Sequence, residues 1–220
     1  MQIDLPRHIR SGLLAASMAG ALAIAGCGGS SSSTTSTTVT VGANVPGATK
    51  TTKTAAGSAD VVATVNGVAI AKASYEHWLA VTAALSGSGG HGASTSSQAV
   101  KDKTLGFLIT EQWVLGEAAA RGIAVSAADV KKRTEEVERK QFKRSGELQK
   151  YLSKAHESAA DLQQRVRLEL LEAAIAKQVT ASKHTTAERQ AALNKLQDEF
   201  ERRWKARTSC AAGYAMEDCG

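Results

Sequence analysis

The stretch Asp60–Leu79, DVVATVNGVAIAKASYEHWL, decides the fold. Val61, Val62, Thr64 and Val65 are β-branched and favour extended backbone. Asn66-Gly67 follows, a strong hairpin turn signal because both residues tolerate φ > 0. Val68–Ile70 supplies a short return strand. Tyr75, Trp78, Leu79, Thr82 and Leu85 then recur at helical spacing and predict a helix over Lys72–Leu85. A lone hairpin is marginal in water, so this one has to lean on the helices predicted after it.

Downstream, every predicted element is a helix. Gln98–Arg121 carries Val100, Leu105, Phe107, Leu108, Ile109, Trp113, Val114 and Leu115 on more than one face. That is the pattern of a buried central helix. Gly122 is placed to end it in the left-handed conformation. Ser126 caps a third helix, Ala127–Phe142, whose apolar line is thin: Val130, Thr134, Val137 and Phe142. Its remaining face is charge, with Glu135–Arg139 and Glu136–Lys140 in the favourable i,i+4 order, and reads as a solvated face. Gly146–Ala155 is a short helix. Ser158 caps Ala159–Thr180, which has two apolar stripes and so packs on two sides. One is Leu162, Val166, Leu170, Ala173 and Ala174; the other is Leu168, Leu171, Ile175 and Val179. Thr185 or Thr186 caps a sixth helix ending near Arg207, with Leu193, Leu196, Phe200 and Trp204 as its seam. Glu188 stands three residues beyond Thr185, where a capping box needs it. The fold class is therefore mainly α, about six helices with one short N-terminal hairpin, the last helix closing back on the opening element.

Upstream, residues 1–26 read as an export signal. Arg7, His8 and Arg10 precede an apolar run from Leu13 to Ala25, too short for a membrane span. Leu22–Cys27, LAIAGC, resembles a bacterial lipobox. Cys27 is then the lipidated mature N-terminus, anchored by acyl chains worth about 0.8 kcal/mol per buried CH₂. Residues 27–58 are dominated by Ser, Thr, Gly and Ala and carry too little apolar surface to fold, so they read as a flexible tether. Residues 59–220 form the predicted folded domain.

Composition narrows the function. Aromatic residues make up only 4% of the chain, which suits a helical protein with small core side chains. Formal net charge is +6, and losing Arg7, Arg10 and Asp4 with the signal lowers it by one. Basic and acidic residues interleave and no recognition motif accompanies them, so nucleic acid is not an expected partner. Gly87–Gly92 spells a literal G-x-G-x-x-G, but a helix precedes it and no βαβ unit follows, which excludes a dinucleotide site. The histidines are scattered, and no catalytic or metal-ligand spacing occurs, so no metal or cofactor is expected. Cys27 being committed to lipid, Cys210 and Cys219 remain as a pair in an exported chain and predict a structural disulfide. Their spacing is not the C-x-x-C of redox enzymes.

Val62, Ala63, Val65, Asn66 and Gly67, then Ile70, Lys72, Tyr75 and Trp78, resemble the opening of the SurA/PrsA-type N-terminal chaperone domain of extracytoplasmic foldases. That family reads V-A-x-V-N-G, then x-I-x-K and a helix bearing aromatics. Two further runs match in order. Ile123, Val125, Ser126, Asp129 and Val130 follow I-x-V-S-x-x-D-V. Ser158, Asp161, Leu162, Val166, Arg167, Leu170 and Leu171 follow S-x-x-D-L-x-x-x-V-R-x-x-L-L. The resemblance spans about 60–207. It implies binding of unfolded or newly exported polypeptides outside the cytoplasm, with a membrane anchor through the N-terminal lipid. Tyr75, Trp78, Phe107 and Trp113 are the candidate client-binding residues. Complete foldases carry a parvulin prolyl isomerase domain before the final helix. Here only Ala181–Thr185 stands at that point, whereas a domain needs more than about 50 residues. Binding without catalysis is the expectation; a prolyl isomerase or its remnant, and a structural envelope lipoprotein with a fixed partner, are the alternatives.

Overall fold

A computed structural model describes residues 60–87 and 92–220. The expected signal, Cys27, the tether and part of the glycine-rich loop, including His91, lie outside the described residues. Strands β1 (Val61–Val65) and β2 (Val68–Ala71) are followed by α1 (Lys72–Ser86), α2 (Gln98–Ala120), α3 (Ala127–Gln141), α4 (Glu147–Ala155), α5 (Ala159–Thr180) and α6 (Thr186–Lys205). A third strand, β3 (Thr208–Cys210), comes last.

The hairpin forms as its turn chemistry dictates. Asn66 and Gly67 both have positive φ, 49° and 81°, and Val65 pairs with Val68 across them. The sheet differs from expectation in having a third strand. Its order is β2-β1-β3, with β3 antiparallel to β1 and Thr208 opposite Val65. The opening strand is thus the sheet centre. A register shift between Val61 and Ala63 lets both Val62 and Ala63 be buried, which strict alternation would not allow.

The helices start where their caps predict. Ser126 accepts from the Asp129 N–H, and Ser158–Asp161 and Thr185–Glu188 are complete capping boxes. Gly122 is left-handed, φ 67°, just past α2. The charged face of α3 pairs differently from the expected Glu135–Arg139 and Glu136–Lys140. Lys131 bonds Glu135, while Arg133 bridges Glu136 at 3.4 Å and Glu169 of α5 at 2.6 Å.

Packing makes two apolar clusters. The larger joins the sheet, α1, α2, α6 and one stripe of α5, including Val62, Trp78, Ile109, Leu168, Leu171, Ile175 and Trp204. The smaller holds Val130, Leu152, Leu162 and Val166 of α3, α4 and α5. The two stripes of α5 are therefore the bridge between them. The C-terminal part returns to the start of the domain by two routes. Leu196, Phe200 and Trp204 of α6 join the larger cluster, and β3 adds to the sheet.

Candidate functional site

Three places in the described body gather unusual side chains. The first is the contact of α2 with α6. Glu117 points into the core, fully buried, and its two oxygens take three donors. Arg121 Nε donates at 2.7 Å, Arg203 Nη1 at 2.9 Å and the Trp204 indole Nε1 at 2.9 Å. Burial pushes the carboxyl up; the Trp204 and Arg121 bonds and the charges of Arg121 and Arg203 outweigh it and hold it below its ordinary range. Beside it, the Trp113 indole donates to Thr208 Oγ1 at 2.8 Å, and that hydroxyl donates to the Trp204 carbonyl at 2.8 Å. These bonds tie α2, α6 and β3 together. A buried carboxylate bonded through both oxygens to two helices acts as a structural clamp.

The second is the junction of α1, α4 and α5. Asp161 Oδ2 accepts from the Ser158 N–H at 2.7 Å and lies 3.1 Å from His77 Nε2. Burial raises the Asp161 carboxyl, but the bonds from Ser158 and the His77 charge bring it below normal. Arg165 donates to Glu157 Oε2 at 3.0 Å. Tyr151 Oη, Glu157 Oε1 and Arg165 Nε are buried without a hydrogen-bond partner among the described residues. Burial accordingly pushes Glu157 and Tyr151 up. Among the described residues no three His, Cys, Asp or Glu side chains converge as a metal site.

The third is the crossing of α1 and α2, where the aromatic candidates sit. Trp78 and Phe107 meet with centroids 4.6 Å apart and ring planes tilted at 52°. Tyr75 meets Tyr214 of the C-terminal segment edge to face at 5.3 Å. Of the four candidates, Trp78 and Phe107 are brought together, while Tyr75 meets Tyr214 and Trp113 stands apart from both pairs. It lies further along α2, against Phe200 at 5.9 Å. Tyr75, Trp78 and Trp113 are buried and Phe107 is half-buried, so none of the four stands open in this conformation. Among the described residues, Val68 is the one large hydrophobic side chain that is exposed.

Cys210 and Cys219 are joined in a disulfide. An open cleft of about 550 Å³ lies between the end of α5 and the start of α6, lined by Arg121, Val179, Lys183, Lys195, Leu196 and Glu199. Its mixed charge and shallow form set it apart from an enclosed ligand site.

The sequence reading missed Glu117 as a clamp and β3 as a strand. Glu117 left a faint signal: a carboxylate on the apolar central helix, four residues before Arg121. β3 left almost none, since Thr208-Ser209-Cys210 is too short to show a period.

A family model described as a SurA-like N-terminal domain matches residues 12–176. The chain belongs to that family. Neither a curated protein nor a solved structure matches it. The SurA-like match covers β1 to most of α5. The described SurA-like body also uses α6 and β3, beyond the matched residues, to complete its core and sheet. Among its described residues no helix is long and apolar enough to cross a membrane.

Proposed function

We propose that this protein is a membrane-anchored extracytoplasmic chaperone that binds unfolded or newly exported polypeptides without catalysis. The supporting observation is its membership of the SurA-like N-terminal domain family. The direct passage from α5 to α6 through residues 181–185 agrees with binding alone, because that is where complete foldases insert a prolyl isomerase domain. In this reading residues 1–26 are the export signal, Cys27 carries the lipid, 27–58 form the tether, and 59–220 are the chaperone domain. Apolar burial at about 25 cal/mol per Å² gives such a domain sequence-tolerant affinity for exposed core segments of clients.

Aggregation of a chemically denatured client, followed by light scattering with the full chain at stoichiometric ratio, tests the proposal. Suppression is expected; undiminished scattering refutes it. A coupled assay on a proline-limited peptide tests the non-catalytic part, and turnover above buffer would overturn that part.

A further inference from the structure

Residues 211–220 contain two turns and neither helix nor strand. The disulfide returns this segment to the end of β3, closing a loop of sequence separation 9. Its backbone bonds close on the sheet and on itself. Ala211 N donates to Val62 O at 3.0 Å and Gly220 N to Thr208 O at 2.9 Å; Tyr214 N bonds Ala211 O at 3.0 Å and Cys219 N bonds Met216 O at 3.1 Å. Side chains make its reach to the helices. Tyr214 presents an edge contact to Tyr75, with rings at 86°. Met216 and Asp218 lie over Gly106 of α2, where an added Cβ would stand 3.3 Å from the Met216 Cε and 3.4 Å from Asp218 Oδ2. Tyr214 and Met216 are only half-buried, while Tyr75, against the Tyr214 ring, is 6% exposed.

Glycine weakens a helix interior, and at Gly106 it leaves the space that the methionine methyl uses. The seat so formed takes one aromatic ring edge-on and, beside the Asp218 carboxylate, one flexible thioether. Those are side chains that unfolded polypeptides expose and folded ones bury.

We propose that the seat around Tyr75 and Gly106 is the client-binding site, and that Tyr214 and Met216 occupy it as an internal stand-in for apolar side chains of an unfolded polypeptide. This rests on the chaperone reading above and adds the location and its control. The loop is tied at its ends to Val62 and Thr208 and closed by its disulfide, so displacement of its side chains leaves its attachment to the sheet in place. A client competes with it, and apparent affinity falls by the fraction of molecules in which the seat is open.

The test uses the full chain and a fluorescently labelled, carboxymethylated, permanently unfolded protein as probe. Wild type is compared with Tyr214→Ser/Met216→Ser, which keeps the disulfide, and with Cys210→Ala/Cys219→Ala, which frees the loop. Circular dichroism checks that each variant is folded. Both open forms are expected to bind at least about tenfold more tightly than wild type. Adding Tyr75→Ala, or Gly106→Leu to fill the seat from the helix side, is expected to abolish the gain. Equal affinity of wild type and open forms, or a gain that survives both additions, overturns the seat and leaves the chaperone reading standing. Absence of binding by every form overturns both.

Discussion

Gly116 offers a sharp test of how the C-terminal helix is locked to the central one. Glycine inside a helix is ordinarily a weakness, and replacing it with Ala stabilises by up to about 1 kcal/mol. Here the opposite is expected. A Cβ at Gly116 would stand 2.1 Å from Trp204 Cη2, 2.6 Å from Cζ3 and 2.9 Å from Cζ2. The indole has little room to retreat. It is 2% exposed, its Nε1 is held by Glu117 at 2.9 Å, and the Arg207 guanidinium covers its face at 5.4 Å. Overpacking of this kind costs roughly 1–3 kcal/mol. Set against a helix gain of about 1 kcal/mol, Gly116→Ala should destabilise by up to about 2 kcal/mol. In a Trp204→Leu background the obstacle is gone, and the same change should be neutral or stabilising by up to about 1 kcal/mol. Urea unfolding of the four variants, followed by far-ultraviolet circular dichroism, gives the coupling directly, and no tryptophan signal is needed. If Gly116→Ala stabilises the wild-type chain, or costs the same in both backgrounds, Trp204 does not rest on Gly116 and the reasoning fails.

The two buried glutamates of α2 should respond to pH in opposite senses. Glu117 sits below its ordinary pKa, so its stabilisation is complete above the unfolded carboxyl value of about 4.3 and is lost as pH falls through its own lower value. Glu117→Gln should therefore cost roughly 2–4 kcal/mol at neutral pH. That cost should shrink in acid, and a pH-independent difference in urea midpoints would refute the clamp. Burial raises Glu111 despite the bond from Gln164 and the Arg167 charge; its contribution is present below the unfolded value and lost as pH rises through the folded one. Glu111→Gln should then stabilise at neutral pH and be nearly level with wild type near pH 4, as thermal melts at the two pH values would show. Removing the disulfide with Cys210→Ser/Cys219→Ser should lower stability by about 2–3 kcal/mol through loop-closure entropy, and an unchanged urea midpoint would contradict this. Cys27→Ser should abolish incorporation of radiolabelled fatty acid in bacterial expression; label retained on the variant rules out lipidation at that residue.

Much of the architecture was legible because local signals agreed with one another. Asn66-Gly67 fixes a turn by backbone sterics alone, and Ser126, Ser158 and Thr185 fix helix starts by side-chain bonds within a few residues. The two stripes of α5 announced two neighbours, and the stripe of Leu168, Leu171 and Ile175 meets one cluster while Leu162 and Val166 meet the other. What escaped depends on distant partners. β3 is a strand only because Ala63, Thr64 and Val65 offer their free edge to it. Glu117 is tolerated in the core only because Arg203 and Trp204 arrive from 86 and 87 residues away. The aromatics illustrate the same limit. Helical spacing shows that Tyr75 and Trp78 face inward, but not that Tyr214 covers one of them or that Trp113 pairs with Phe200 instead.

The closure of the domain gives the buried polar bonds a common logic. Three indole and hydroxyl bonds, from Trp113, Thr208 and Trp204, run between α2, α6 and β3. The Trp113–Thr208 and Trp204–Glu117 bonds join parts 95 and 87 residues apart, and their partners would be left unsatisfied in the interior if α6 and β3 withdrew. Apolar contacts alone tolerate sliding; these bonds do not, because their donors and acceptors fit in one register. The C-terminal residues are thereby committed to the sheet at Thr208, while the disulfide-closed segment after Cys210 has its backbone bonded to the sheet and to itself and reaches α1 and α2 through side chains. The seam therefore holds α6 and β3 in one register up to Cys210, and the cover proposed above begins only beyond it.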